Sequence, residues 1–142
     1  MKIKLLLTLS FILILASHID AGVHSYSRDN TVIGNIRTYE VGEDESLIEI
    51  ARRFDLGYNE IMGANPDLDP FAPGNGATVR IPALWILPDV TKHNGIVINL
   101  SEMRLYYFLN EKKRVSVMTY PIGMGQEGFD TPVGVFSIIE KK

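Results

Sequence analysis

Between Thr38 and Pro82 the hydrophobic pattern shifts from strand to helix and back to strand, and that order leaves very few small architectures open. "TYEV" (38–41) alternates as a half-buried strand does, and "GEDE" (42–45) is a turn. In "SLIEIARRF" the residues Leu47, Ile50, Ala51 and Phe54 recur at i, i+3, i+4 and i+7, the stripe of an amphipathic helix. Ser46 with Glu49 forms a capping box that marks its start. A second helix is expected after Gly57, over about 58–64, with Tyr58, Ile61 and Met62 on one face. Asn65-Pro66 ends it, since Asn tolerates the left-handed cap position and Pro cannot continue a helix. A Gly-, Pro- and Asp-rich loop, "DLDPFAPGNGA" (67–77), leads to "TVRIP" (78–82), a returning strand closed by Pro82. Strand, helix, helix, strand is an α+β unit near the lower size limit for folding alone.

The wording of this segment resembles the LysM domain, a βααβ module that binds glycans built on N-acetylglucosamine. The residues that carry the likeness are "YEV", "DESL", "IA", "ANP" and "PGNGATVRIP", over about 39–82. Asp44 stands where the family pattern has Gly, and Glu45 where it has Asp. The resemblance implies a glycan-binding groove between the loops 42–46 and 65–76, carried by Asp44, Glu45, Ser46, Met62, Asn65 and Pro66. A second role stays open for each. Asp44 and Glu45 also suit the positive N-terminal end of a helix, and Asn65 and Pro66 also serve as stop signals.

Residues 1–21 read as a secretory signal: Lys2 and Lys4 precede the apolar run Leu5–Ala16, and Ala21 offers a small residue for cleavage. A membrane-spanning helix needs about 20 apolar residues, and this run is shorter. An exported chain is free to use disulfides, yet the Cys count is 0, so stability has to come from packed cores. The polar stretch 22–37, dotted with Gly, Asn and Ser, is expected to be an extension of low order. The formal charge of −3, with both signs scattered, offers no basic stripe for phosphates and argues against nucleic acid as a partner.

"ALWILPDVTKHN" (83–94) reads as a linker in which Trp85 tethers one module to the next. His93 has no partner at metal-ligand spacing, so no metal is expected. After Gly95 the pattern alternates: "GIVINL", "RLYYFL" and "VSVMTYPIGMG" are strands separated by turns at "SEM" and "NEKK", a hairpin or meander. "GFDTPVGVF" (128–136) then reads as the entry to a fourth strand, "VFSII", with Pro132 fixing the turn and Gly134 relieving its bend. Thr131 has no positioned base beside it in the sequence and is a turn residue rather than a nucleophile.

This half resembles the L,D-transpeptidase catalytic domain of the YkuD type, on "GIVINLSEMRLYYF", "YPIGMGQ" and "TPVGVF" and on the linker wording "IPALWILPD". The resemblance implies a β-sandwich, a periplasmic location and a cofactor-free reaction. In that reaction a Cys thiolate transfers acyl groups between peptidoglycan stem peptides, or onto an outer-membrane lipoprotein. The family's His-Gly and Ser-x-Gly-Cys elements have no counterpart here: the three His are His18, His24 and His93, and there is no Cys. The expectation is therefore α+β: a signal (1–21), an extension (22–37), a LysM-like module (38–82), a linker (83–94) and a partial transpeptidase domain (95–142). No catalytic residue is assigned, and the chain is expected to be the front part of a longer protein that binds peptidoglycan without turnover. The alternatives are a complete, non-catalytic LysM wall-binding or anchoring protein, and an exported β-sandwich adhesin without wall affinity.

Overall fold

Both helices form where the caps place them. The computed structural model describes residues 22–27, 29–111 and 114–141, and the expected signal (1–21) lies outside them. Helix α1 is Leu47–Arg53; the Ser46 Oγ accepts from the Glu49 N–H while the Glu49 carboxylate accepts from the Ser46 N–H at 2.9 Å. Helix α2 is Tyr58–Ala64, and the Gly57 N–H at its start donates to Glu60 Oε2 at 2.5 Å. Their apolar faces bury Leu47, Ile50, Ala51 and Ile61 against Val41, Val79 and Ile81.

The strands are β1 (Val23–Ser25), β2 (Val32–Glu40), β3 (Thr78–Ile86), β4 (Gly95–Asn99), β5 (Arg104–Glu111) and β6 (Arg114–Pro121). Antiparallel β2 and β3 form a ribbon under the two helices, which completes a βααβ unit. The other four make an antiparallel sheet in the order β1-β6-β5-β4, which contains the expected meander. Among the described residues the fold is α+β and mainly sheet.

Three expectations are corrected. The segment 22–37 is not of low order: it supplies β1 and most of β2. Its weak local pattern is overridden by partners far along the chain, with Ile33 buried opposite Trp85 and Gly34 opposite Leu84. Nor does β3 close at Pro82; it continues to Ile86 and shortens the linker to 87–94. In a two-stranded ribbon each strand keeps one unpaired side, where a residue without an N–H loses no ladder bond. Third, "VFSII" is not a strand. No strand among the described residues pairs with it, and Val133, Val135, Phe136, Ile138 and Ile139 stand 71–102% exposed. The turn before it does form, with the Gly125 N–H donating to Thr131 Oγ1 at 2.9 Å.

Where the sheet meets the βααβ unit, Arg104 of β5 is 0% exposed. Its guanidinium donates to Glu60 Oε1 (3.2 Å) and Oε2 (3.1 Å), to Thr119 Oγ1 (3.0 Å) and to the Asp55 carbonyl (2.5 Å). It lies over the Trp85 ring, 4.1 Å from the centroid, while the indole N–H donates to Glu60 Oε1 at 3.0 Å. Trp85 thus acts as the tether the sequence suggested. Burial works to raise the pKa of Glu60, but Arg104, the Gly57 N–H and the Trp85 indole outweigh it and hold the carboxyl below its usual range.

A carboxyl whose folded pKa is depressed stabilises the fold fully above its unfolded value, about 4.3 for Glu, and loses that contribution as pH falls through the lower folded value. Melting temperature followed from pH 7 downward should therefore drop below about pH 4.3, and Glu60→Gln should flatten that part of the fall. A second expectation concerns glycine. Gly34 has φ 75°, and a Cβ there would lie 2.1 Å from the Ala83 carbonyl oxygen. Gly34→Ala should cost about 1–3 kcal/mol, whereas Gly63→Ala, in α2 with open space around it, should gain roughly 0.5–1 kcal/mol; denaturant titration of both variants checks the contrast.

Candidate functional site

The turn before α1 is built by a single carboxylate. Glu45 Oε2 accepts from the Gly42 N–H at 3.1 Å and from the Tyr39 hydroxyl at 2.9 Å, while Oε1 lies 2.6 Å from Arg53 Nη2. Arg53 also donates through Nη1 to the Tyr39 hydroxyl and lies over the Tyr39 ring. The hydrogen bond to Glu45 is the main reason the Tyr39 phenol is held above its usual pKa. Asp44 has φ 56°, in the left-handed region that favours glycine, so Asp is among the few other residues that fit.

Around the turn lies an open cleft of about 480 Å3, lined by Tyr39, Gly42, Glu43, Asp44, Glu45, Glu49 and Arg53. Four carboxylates face one guanidinium. The backbone N–H of Ser46, then its hydroxyl, lowers the pKa of Glu49 and keeps it ionised. An acceptor-rich wall beside a phenol ring suits a neutral ligand rich in hydroxyl donors and disfavours phosphate or other anions. Among the described residues no cluster of His, Cys, Asp and Glu is arranged to hold a metal ion.

Of the six residues expected to carry a groove, the cleft takes in Asp44 and Glu45. Ser46 is spent on the cap, its hydroxyl donating to Glu49 Oε2 at 2.9 Å. Met62 packs against the core. Asn65, only 7% exposed, is fully engaged: its amide donates to the carbonyls of Ile61 (2.8 Å) and Arg80 (2.9 Å), and its Oδ1 accepts from the Arg80 N–H at 2.7 Å. It staples the end of α2 to β3, and Pro66 beside it is exposed. The loop 65–76 does reach the first loop, since the Leu47 N–H donates to the Pro70 carbonyl at 3.0 Å and leaves Phe71 exposed next to that contact.

Tyr39, Glu43, Glu49 and Arg53 also line the cleft, and sequence reasoning did not name them for it. The signal for two of them was available: in helix α1, Glu49 and Arg53 are spaced i, i+4 on the face opposite the apolar stripe.

The meander β4 to β6 and the turn after it coincide with a family match. Residues 93–142 match the L,D-transpeptidase catalytic domain, of the YkuD type. The chain is also similar to the protein named "Probable L,D-transpeptidase YbiS" of Escherichia coli K12, 43% identical over 105 residues, which cover 74% of this chain and 33% of that protein. "Probable L,D-transpeptidase YcfS" of the same strain is 39% identical over 114 residues, 78% of this chain and 35% of the relative. "Probable L,D-transpeptidase ErfK/SrfK" of Salmonella typhimurium is 36% identical over 137 residues, 93% of this chain and 43% of the relative. The chain thus spans 33–43% of the length of these L,D-transpeptidases. The last match covers nearly all of the chain, so the similarity extends to the βααβ unit.

If Asn65 is a staple, Asn65→Ala leaves three backbone groups without these partners, one buried and two half-buried, and should cost on the order of 3 kcal/mol. Chemical denaturation would show it, and a near-neutral result would return Asn65 to the list of ligand-facing residues.

Proposed function

We propose that this chain belongs to an exported, periplasmic cell-wall protein of the L,D-transpeptidase kind. In this reading the LysM-like βααβ unit docks on peptidoglycan through N-acetylglucosamine-containing glycan, and residues 95–142 contribute strands of the catalytic domain. The observation that carries the proposal is the match of residues 93–142 to the L,D-transpeptidase catalytic domain, next to a βααβ unit with an acceptor-rich cleft. Sugar hydroxyls donate to Asp44 and Glu49 at the cleft wall, and the Tyr39 and Phe71 rings offer apolar faces to acetyl methyl groups.

The family reaction needs a thiolate that attacks a stem-peptide carbonyl and is later resolved by an amine. These 142 residues contain no Cys, so the role proposed for them is docking and scaffolding. Acyl transfer, between stems or onto a lipoprotein, would come from a protein that adds the nucleophile to this scaffold.

Protein spanning residues 22–142 should co-sediment with purified sacculi and be released by N-acetylglucosamine oligomers. Asp44→Arg should weaken the binding several-fold, and the same protein should form no new stem-peptide cross-links. Failure to co-sediment while correctly folded would overturn the docking role.

A further inference from the structure

We propose that the βααβ unit and the four-stranded sheet are one rigid body, with Glu60, Arg104 and Trp85 as positioning residues that hold the cleft at a fixed distance and angle from the transpeptidase-like strands. Where this concerns glycan it rests on the docking role proposed above. The topology is the first argument. β1 precedes the βααβ unit in sequence but pairs with β6, so the chain leaves the sheet after β1 and re-enters it at β4. The unit is therefore held by two crossings instead of one.

The two crossings are also tied to each other and to the sheet. The Leu87 N–H of the second donates to the Thr31 carbonyl of the first at 2.8 Å, and the Tyr26 N–H donates to the Val115 carbonyl at 3.2 Å. His93 stacks on Phe108 at 4.7 Å, Tyr26 meets both rings edge-on, and the His24 ring meets Trp85 at 5.7 Å. The Tyr106 hydroxyl donates to Glu102 Oε2 at 2.7 Å and lies 3.4 Å from the Ile86 carbonyl. Arg104 then binds both elements at once, as described for the fold.

The scale of the alternative decides what this does. Residues 87–94 acting as a single flexible linker would let their ends wander by about 15 Å. A module on such a tether raises local concentration and no more. A clamped module selects geometry: once it grips a glycan, only stem peptides at one offset along the strand face the sheet.

The absence of Cys makes the test clean. Spin labels at Phe71→Cys, in the loop 65–76, and Ile98→Cys, on β4, are both at exposed positions, and pulsed electron paramagnetic resonance reads the distance between them. One narrow distribution is expected in the otherwise unaltered chain and a several-fold broader one in Glu60→Ala, with circular dichroism showing both halves still folded. Asn65→Ala, which weakens the unit away from the clamp, should keep the narrow distribution; broadening there would mean that any loss of stability loosens the contact. If Glu60→Ala does not fold, Glu60→Gln, which keeps the shape and removes the charge, is read the same way. A broad distribution in the unaltered chain, or a narrow one that survives every Glu60 variant, overturns the proposal. Co-sedimentation with sacculi is measured on the chain without the Cys substitutions: no binding there, beside a narrow distribution, overturns the docking role and leaves the rigid body standing.

Discussion

A guanidinium removed from water has to find nearly all its partners inside the protein, and Arg104 finds them on four separate segments. Glu60 lies on α2, Asp55 in the turn before α2, Thr119 on β6 and Trp85 on β3. Stripping water from a charge costs several kcal/mol, and removing one partner of a buried pair costs about 3–5 kcal/mol. The fold can keep Arg104 only by bringing the βααβ unit against the sheet in one orientation. Hydrophobic contact alone would tolerate sliding; a planar fork facing a carboxylate, a hydroxyl and a carbonyl does not.

That constraint explains the economy of the rest. The helices are short, seven residues each, and their unit sits near the size at which independent folding becomes marginal. Leaning on the sheet supplies what the small core lacks. Trp85 buries a large ring at the contact while its N–H reaches Glu60. Glu60 is therefore a helix cap, a counter-charge and an indole acceptor at once, which is why its carboxyl stays ionised in spite of burial.

The helices were legible because their signals are local: a 3.6-residue stripe, a capping box and an Asn-Pro stop. The strand residues before Thr38 were not, because what orders Gly34 and Ile33 is Leu84 and Trp85, far along the chain. Pro82 misled for a related reason, since its effect depends on whether the strand has one partner or two. Arg104 did leave a trace. It falls in phase with Tyr106 and Phe108, so the two-residue period of "RLYYF" places a charge on the buried face. A charge in phase with aromatic core residues marks a buried partner elsewhere, and here Glu60 pairs with Arg104 while Glu102 accepts from Tyr106 in the same row. On the candidate site, the turn at Asp44 and Glu45 was readable from the motif. Asn65 kept two readings open because a short polar residue after a helix looks the same whether its amide faces a ligand or a neighbouring strand.

The carboxylates divide between these tasks by position. Glu60, facing the sheet, is neutralised by Arg104, and Glu45 is held by Arg53 and Tyr39. Asp44 and Glu43 sit at the outer lip of the cleft and are exposed, so their acceptor capacity is left to water or to a ligand. A neutral polyol can replace that water bond for bond, whereas an anion meets repulsion from both. The residues that fix the fold are thus charged groups paired inside it, and those at the cleft are charged groups left open at its edge. On the docking role proposed above, a clamp that sets the angle between the two halves would convert recognition at that edge into a choice of where along a glycan the sheet is placed.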